Sequence, residues 1–253
     1  MELNLKGKNV LVMGASKGIG RATAEAFASE GAKLTIVARS EDLLREVKNS
    51  CMEKGAQSVS CYPCDVTNED MQKFGNALME KEGVFDVVIH SIGTSLTSRN
   101  IFGGEKDWYD ALRLDALHAI DMNSVLIPQM IENKIKGKVI HVSSISAEIL
   151  RGNPLYASAK AYLNAYVTTA GRQLASQGIC LNSVMPGAVA FENSYWDVKE
   201  KNNDPAVEEF LRQHQAIHRF GRPDEIANLI VFLASDKAEF ICASNLPIDG
   251  GNM

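Results

Sequence analysis

Short apolar runs alternate along the chain with longer stretches in which apolar residues recur at helical spacing. The runs are predicted strands, and they cover residues 9–13, 33–37, 59–62, 85–90, 138–142, 179–184 and 245–248. The periodic stretches are predicted helices, and they cover about residues 18–30, 41–54, 68–81, 105–133, 156–177 and 224–234. This alternation predicts an α/β fold in which helices cover both faces of a parallel sheet of seven strands.

One long segment, residues 188–219, follows neither period and is polar, so it is predicted to be irregular. Asn68 is the predicted N-cap of the third helix, because a short amide side chain can accept a hydrogen bond from the first helical turn. No repeat, low-complexity stretch or linker interrupts the pattern. Residues 1–253 are therefore predicted to form one domain.

Composition and charge argue against some classes of partner for this domain. The net charge is −5 and no basic run stands out, which argues against nucleic acid or an anionic membrane surface as a partner. The apolar stretches end well before the ~18 residues that a membrane span needs. The first residues contain no apolar signal-peptide core, so a cytoplasmic protein is expected.

Two of the five cysteines, Cys61 and Cys64, have C-x-x-C spacing. This spacing occurs in redox dithiols and in half of a zinc site. The second half of a zinc site is missing, and the pair lies at the end of a predicted strand. We therefore expect buried structural thiols and no metal site.

A glycine-rich turn follows the first predicted strand and contains Gly14, Gly18 and Gly20. Glycines permit a tight turn and close backbone approach, and the N-terminus of the next helix favours a pyrophosphate. The spacing G-x-x-x-G-x-G differs from the commoner G-x-G-x-x-G fingerprint. The alternative is a strand-to-helix turn without a ligand.

Tyr156 and Lys160 lie four residues apart on a predicted helix, so both can face one pocket. A phenol has a pKa near ~10, and a neighbouring ammonium lowers it. Such a tyrosine could exchange a proton with a carbonyl or alcohol oxygen.

Taken in order, these motifs resemble the short-chain dehydrogenases/reductases, in their small single-domain branch. The residues that carry the resemblance, which covers nearly the whole chain, are 14–20, 64–66, 142–144, 156–160, 182–187, 222–227 and 249–251. The resemblance implies a Rossmann-like, doubly wound fold and a nicotinamide cofactor. It also implies a homotetramer or homodimer built through the two long helices.

The resemblance further implies a catalytic serine–tyrosine–lysine group. By position, Tyr156 is the general acid/base, while Lys160 lowers its pKa and holds the nicotinamide ribose. The serine that polarises the substrate carbonyl is Ser143 or Ser144. Counting back from Tyr156 favours Ser143, but strand register fixes side-chain direction and favours Ser144, which we take.

The cofactor residues implied by position form four groups along the chain. They are Gly14, Ser16, Lys17, Gly18, Ile19 and Gly20 in the turn, Asp65 and Val66 at the adenine, Ser91 and Gly93 at the ribose, and Pro186, Gly187 and Val189 at the nicotinamide. The end of the second strand carries Arg39 and no carboxylate, and Lys17 lies on the same side. Two cations suit a 2′-phosphate, so NADP(H) is expected in preference to NAD(H). The alternative is that both are solvated surface charges.

Three positions depart from the family pattern. Asp115 replaces an asparagine, Phe191 replaces a threonine, and His90 lies where an asparagine is usual. We expect Asp115 to complete a polar chain from Lys160 to solvent; the alternative is that it pairs with His118.

The predicted function is reduction of a ketone, or oxidation of a secondary alcohol, with a small molecule as substrate. A 3-oxoacyl thioester and a polar keto-sugar or small keto metabolite are the substrate alternatives. Glu148 precedes Tyr156 and could bind a polar ligand, and Tyr195 and Trp196 lie in residues 188–219, the family's substrate lid. The rival hypothesis is a cofactor-binding regulator or scaffold with little turnover.

Overall fold

The computed structural model describes residues 2–94 and 102–252. Within them, the strands are β1 (Asn9–Met13), β2 (Lys33–Ala38), β3 (Ser58–Pro63), β4 (Val87–His90), β5 (Lys138–Val142), β6 (Cys180–Pro186) and β7 (Asn245–Ile248). They form one parallel sheet in the order β3-β2-β1-β4-β5-β6-β7. The prediction of a doubly wound α/β fold with seven strands is confirmed.

The helices cover both faces of this sheet. They are α1 (Gly18–Ser29), α2 (Glu41–Glu53), α3 (Met71–Glu82), α4 (Glu105–Leu112), α5 (His118–Glu132), α6 (Ser146–Ile149), α7 (Pro154–Leu174), α8 (Tyr195–Lys201), α9 (Pro205–His214) and α10 (Pro223–Ala234). Side chains of α1, α2 and α10 pack on one face, and those of α3, α5 and α7 pack on the other.

The sequence of the central strand, β1, is almost entirely apolar because both of its faces are buried. Val10 and Val12 belong to the hydrophobic core on one face, and Leu11 and Met13 to the core on the other. Successive side chains of a strand point to opposite faces, so a strand covered on both sides has no polar positions. Phe27 of α1 is fully buried against this sheet, and Phe27→Ala is expected to cost ~3–5 kcal/mol of stability.

The start of α3 differs from the prediction. Asp70 is its N-cap, and the Asp70 carboxylate accepts hydrogen bonds from the Gln72 and Lys73 N–H groups at 3.2 and 3.1 Å. Asn68 instead donates to the Asp65 carboxylate at 3.2 Å. The prediction of Asn68 as the cap is wrong, because its side chain is used by the preceding turn.

Residues 105–133 were predicted to form one helix, and the chain is indeed helical without a break from α4 to α5. A π-helical turn, Arg113–Leu117, joins the two helices and places Asp115 at its centre. π-Helical turns inside α-helices occur frequently at functional sites. Here the turn is directed at Lys160.

Residues 188–219 are not irregular, so that prediction is wrong. They contain α8 and α9, which begin at Ser194 and Asp204 caps and follow the polar pattern of exposed helices. The helices have seven and ten residues and none of these is buried, so the segment is polar overall. Val207, Phe210 and Leu211 of α9 do recur at helical spacing, a signal that the prediction missed.

The cysteines of the C-x-x-C motif lie on opposite faces of the sheet. Cys64 is buried in the core beside α3, and Cys61 packs against the core beside α2. All five cysteines are free thiols. In the described part of the chain, we find no cluster of three or more metal-ligating side chains and no helix long and apolar enough to cross a membrane.

Candidate active site

The predicted site residues meet at the carboxyl end of the sheet. Strands β1 and β4 are neighbours in space, although β2 and β3 separate them in the chain. The strand order reverses there, and ligands of doubly wound sheets bind in the crevice that forms at such a reversal. Gly14 follows β1, Ser91 follows β4 and Ser143 follows β5, so all three border this crevice.

The glycine turn is tightly folded. The Gly14 and Ala15 N–H groups both donate to the Val37 carbonyl, at 2.8 and 3.1 Å. A Cβ atom on Gly20 would lie 2.1 Å from the Gly14 carbonyl oxygen, so only glycine fits there. Helix α1 has no side-chain N-cap and no acidic residue in its first turn. Its N–H groups remain available to an anion, which fits a pyrophosphate.

Two cations flank this turn. Lys17 and Arg39 are both exposed, and the described ion pairs include neither of them. Asp65, across from Arg39, is fixed by hydrogen bonds from the Thr67 hydroxyl and N–H at 2.7 and 3.1 Å. These bonds, assisted by the Arg39 charge, lower the pKa of Asp65. The end of β2 and the glycine turn therefore combine two exposed cations with one carboxylate.

Ser144, rather than Ser143, faces Tyr156. The Ser144 hydroxyl is close enough to the Tyr156 phenol to lower its pKa, and it accepts a hydrogen bond from the Ser146 N–H at 3.1 Å. The Ser143 hydroxyl points the other way and lies 3.5 Å from the Lys160 carbonyl oxygen. The choice between the two serines from strand register agrees with this geometry.

Helix α7 carries the other two members of the group. The Asn153 side chain caps it by accepting from the Leu155 N–H at 3.1 Å, and Pro154 occupies its first turn. This cap starts the helix before Tyr156, which places Tyr156 and Lys160 on one face. The Lys160 Nζ atom lies 5.7 Å from the Tyr156 ring centroid.

Lys160 is almost fully buried and directed at the π-helical turn. Its Nζ donates to the Asp115 and Val142 backbone carbonyls at 3.1 and 3.2 Å and lies 3.8 Å from the Asp115 carboxylate. That carboxylate accepts a hydrogen bond from the Thr94 N–H at 2.9 Å. A Cβ on Gly93 would lie 2.5 Å from the carboxylate and 2.7 Å from Nζ, so glycine lets the two approach.

The alternative of an Asp115–His118 pair is wrong. Asp115 faces Lys160, and the His118 ring nitrogen Nδ1 instead lies 3.2 Å from the Arg113 carbonyl oxygen. The wider π-helical turn supplies both the backbone carbonyl and the carboxylate of Asp115 to the lysine. Sequence spacing alone could not distinguish these two directions, because i and i+3 share a face in an α-helix.

Burial dominates the electrostatics of this group. It raises the pKa of Asp115 to about 6, although the Lys160 charge opposes the rise. Burial also lowers the pKa of Lys160, opposed by Asp115. The pKa of Tyr156 is raised, first by burial and then by the Asp115 charge, against the Ser144 hydrogen bond. The expectation of a lowered phenol pKa is therefore wrong here, because Lys160 turns its ammonium towards two carbonyl groups.

The strand β6 end forms the opposite wall of the crevice. The Pro186 carbonyl accepts from the Ile145 N–H at 3.0 Å, and the Gly187 N–H donates to the Ile248 carbonyl at 3.1 Å. Val189 pairs with Gly221 in an isolated bridge. These bonds fix the backbone of the residues that were expected at the nicotinamide.

Phe191 lies over the glycine turn. A Cβ on Gly18 would be 2.9 Å from the Phe191 ring atom Cζ, so the ring covers this glycine closely. The sequence showed the replacement of a threonine by Phe191, but not the place of its ring. The ring therefore lies against the turn at which a pyrophosphate is expected.

The residues predicted to contact the substrate differ in their exposure to solvent. Glu148 and Tyr195 are exposed. Trp196 instead packs in an aromatic cluster, with ring centroids 4.2 Å from Phe210 and 4.8 Å from Phe220. Within residues 188–219, Tyr195 therefore lies at the surface, and Trp196 packs α8 against α9.

A buried group of histidines behind the site was missed. His90 Nε2 lies 2.9 Å from Asn123 Oδ1, and Asn123 Nδ2 lies 3.0 Å from His141 Nε2. The rings of His90 and His141 stack at 4.7 Å because these residues are paired in the register of β4 and β5. Burial lowers the pKa of His90 to about 4 and that of His118 to about 3, so these rings are neutral at pH 7.

The fold and this site agree with the comparisons to known proteins. A family model described as enoyl-(acyl carrier protein) reductase matches residues 14–252. The chain belongs to the short-chain dehydrogenase/reductase family, a family of oxidoreductases. The resemblance found in the motifs is thereby confirmed.

Relatives with different substrates match almost the whole chain. The 3-oxoacyl-[acyl-carrier-protein] reductase FabG of Thermotoga maritima is 30% identical over 256 residues, covering 98% of this chain and 99% of its own. The L-sorbose reductase of Gluconobacter frateurii, solved with NADPH and L-sorbose, has a TM-score of 0.90 at 29% identity, covering 99% and 98%. A 7α-hydroxysteroid dehydrogenase solved with NADH and a 7-oxo bile acid has a TM-score of 0.88 at 27% identity, covering 100% and 96%.

Proposed function

We propose that this protein is an NADP(H)-dependent oxidoreductase that interconverts a ketone and a secondary alcohol. The observation that carries the proposal is the convergence of Ser144 and Lys160 on Tyr156, with the Lys160 Nζ atom 5.7 Å from the centroid of the phenol ring. The nicotinamide would supply or accept the hydride. Ser144 holds the substrate oxygen, and Tyr156 donates a proton to it during reduction.

Lys160 acts on this pair through its charge and position. The Asp115 and Val142 carbonyls hold its ammonium at 3.1 and 3.2 Å, so the positive charge is kept in a site with little water. In this proposal Lys160 would hold the nicotinamide ribose, and its charge would act on the phenol in a site where water screens charges weakly.

The preference for NADP(H) rests on charge. Lys17 and Arg39 flank the uncapped start of α1 and are exposed, so they can turn towards a 2′-phosphate. Two relatives differ in their cofactor: the sorbose reductase was solved with NADPH and the steroid dehydrogenase with NADH. We therefore rest the proposal on the residues of this chain.

For the substrate we propose a ketone, without choosing among an acyl thioester, a keto-sugar and a steroid. The relatives named above act on an acyl thioester, a keto-sugar or a steroid, and they match this chain almost equally well. Glu148 and Tyr195 are the exposed residues that we propose for contact with the remainder of the substrate.

Exposed aromatic side chains on the long helices support the proposal of a homodimer or homotetramer. Trp108 and Tyr109 of α4 are 39% and 57% exposed, and Tyr162 of α7 is 49% exposed. Aromatic residues are enriched in protein interfaces. Sedimentation measurements would count the subunits.

Tyr156→Phe tests the proposed chemistry, with Tyr162→Phe on the same helix as the matched control. NADPH oxidation is followed with a panel of ketones that includes a keto-sugar, a 3-oxoacyl thioester and a steroid. Loss of the phenol should lower kcat by ~10²–10⁴-fold and leave the Kd for NADPH unchanged. Near wild-type turnover by Tyr156→Phe would refute the assignment.

The rival function, a cofactor-binding regulator, has one specific observation in its favour. Phe191 covers Gly18, which would slow entry and exit of a dinucleotide. Tight NADPH binding without turnover of any compound in the panel would favour this rival.

A further inference from the structure

Two cysteines far apart in the sequence lie side by side at the amino end of the sheet. Cys180 is the first residue of β6, and Cys242 lies just before β7, its neighbour in the sheet. The Ala243 N–H donates to the Leu181 carbonyl at 2.9 Å, which brings the two segments together next to the cysteines. Extending the register of β6 and β7 by three residues from the Ser183–Asn245 pair places Cys180 opposite Cys242.

A lysine on the third adjacent strand points at one of these thiols. Lys138 is paired with Cys180 in the register of β5 and β6, and its Nζ lies 3.3 Å from the Cys180 sulfur. The lysine is 5% exposed, so little water screens its charge. A cation at this distance stabilises a thiolate, which is the nucleophilic form of cysteine.

The pair can also be reached from solvent. Cys180 and Cys242 are both partly exposed, and their sulfurs lie 3.7 and 3.5 Å from the Glu239 and Ile179 carbonyl oxygens. Adjacent strands lie about 4.8 Å apart, inside the Cα separation of roughly 4.4–6.8 Å that a disulfide needs. Proximity, access and an activating cation therefore coincide at this position.

The remaining cysteines lack this combination. Cys51 and Cys64 are buried, and burial raises the pKa of Cys51 to about 12 and that of Cys64 to about 11. Burial also raises the pKa of Cys242, but that thiol is partly exposed. Cys61 and Cys64 lie on opposite faces of the sheet and cannot react with each other in the folded protein. The sequence motif thus marks the wrong pair, and the strand register brings together a different one.

We propose that Cys180 and Cys242 form a redox-reversible dithiol site, which a low-molecular-weight disulfide oxidises to an intramolecular disulfide. The Cys180 thiolate attacks one sulfur of the oxidant, forms a mixed disulfide and releases one thiolate. The Cys242 thiol then loses its proton, attacks the Cys180 sulfur and releases the second thiolate. Both leaving groups take up the two thiol protons, so one disulfide is reduced to two thiols as the protein dithiol is oxidised.

The new bond would join β6 to the edge strand β7. It would close a loop that contains α8, α9 and α10, and therefore the whole lid segment. Closing a loop of this length restricts the unfolded chain, and the expected increase in Tm is on the order of 5–10 °C. Because the cysteines lie at the amino ends of the strands, and Tyr156 at the carboxyl ends, turnover should change little.

The test is incubation of the full chain with oxidised glutathione, followed by alkylation and peptide mass spectrometry. The expected product is a peptide pair linked through Cys180 and Cys242, which dithiothreitol separates again. A Cys61→Ser/Cys64→Ser double variant should form the same link, and Cys180→Ser and Cys242→Ser should not. The wild-type Tm should rise on oxidation, and that of Cys242→Ser should not.

Lys138→Met tests the activation. It should form the link at least about fivefold more slowly, because the cation 3.3 Å from the attacking Cys180 sulfur is removed. A link between Cys61 and Cys64, or glutathione that stays on Cys180 without transfer to Cys242, would overturn the proposal. The wild-type peptide analysis decides this even if a variant does not fold.

Discussion

Asp115→Asn removes one negative charge from the interior without changing the shape of the side chain. The asparagine oxygen can still accept from the Thr94 N–H, and the backbone carbonyl of residue 115 still binds Lys160. The charge of Asp115 raises the pKa of Tyr156 in the wild-type protein. The phenolate, which is the base in alcohol oxidation, should therefore form at lower pH in the variant.

The size of the effect follows from two distances. The Lys160 Nζ atom lies 3.8 Å from the Asp115 carboxylate and 5.7 Å from the Tyr156 ring centroid. Added together, these distances place the carboxylate within about 9.5 Å of the ring centroid. At an effective dielectric constant of about 20, the repulsion of a phenolate across this distance is roughly 1.7 kcal/mol. This is roughly twentyfold in the ionisation equilibrium, or about 1.3 pH units in the kinetic profile.

The assay is kcat/KM for oxidation of a secondary alcohol, measured from pH 5 to 10 on Asp115→Asn, the wild type and Asp110→Asn. The last variant loses an exposed carboxylate of α4 and is the control for net charge. The pKa of Asp115 is raised to about 6, so its charge is present above that pH and is lost as the pH falls through it. The profiles of Asp115→Asn and wild type should differ above pH 6 and converge below it. An unchanged kinetic pKa, or one that moves upward, would refute the coupling of Asp115 to Tyr156.

Three further predictions concern other parts of the site. Arg39→Asp should raise the Kd for NADPH relative to that for NADH at least tenfold, since a charge-assisted hydrogen bond contributes about 1.5–3 kcal/mol; fluorescence titration with both dinucleotides measures the ratio. Phe191→Ala should tighten NADPH binding roughly threefold or more, because the ring no longer has to leave Gly18 before the dinucleotide binds. His90→Asn should reduce the loss of stability in acid, measured by urea unfolding at several pH values. The pKa of His90 is lowered from 6.5 to about 4, so the unfolded chain binds the proton first and the free energy of unfolding falls as the pH drops between these values.

Each of these predictions has a control variant or a result that would contradict it. Arg45→Asp, on the exposed side of α2, controls for charge reversal and should leave the cofactor preference unchanged. Weaker NADPH binding by Phe191→Ala would mean that the ring supports the dinucleotide. An acid transition in His90→Asn as steep as that of wild type would mean that other groups take up the protons.

The sheet and most of its helices could be predicted because they depend on local periodicity. Strands buried on both faces are apolar throughout, and each is followed by an amphipathic helix, so alternation alone gives the order of elements. The errors lie in α8 and α9, two short helices without a buried residue, and at the start of α3, where Asn68 and Asp70 could both be the cap. Both features are decided by side-chain hydrogen bonds that the pattern does not contain.

The site was predictable where one helix or one strand fixes a direction. Helical spacing placed Tyr156 beside Lys160, and strand register selected Ser144. Contacts between distant elements could not be predicted in the same way. The ring of Phe191 over Gly18 and the contact of Cys180 with Cys242 depend on how strands and loops align across the sheet.

The packing of Trp196 between Phe210 and Phe220 gives the protein an internal optical probe. The chain contains two tryptophans, and the other one, Trp108, lies outside the lid on α4. In Trp108→Phe, all indole emission would come from the joint between α8 and α9. Separation of those helices would expose the indole to water and shift its emission to longer wavelengths. Any movement of α8 away from α9 could then be followed in a stopped-flow fluorimeter, with no dye attached to the protein.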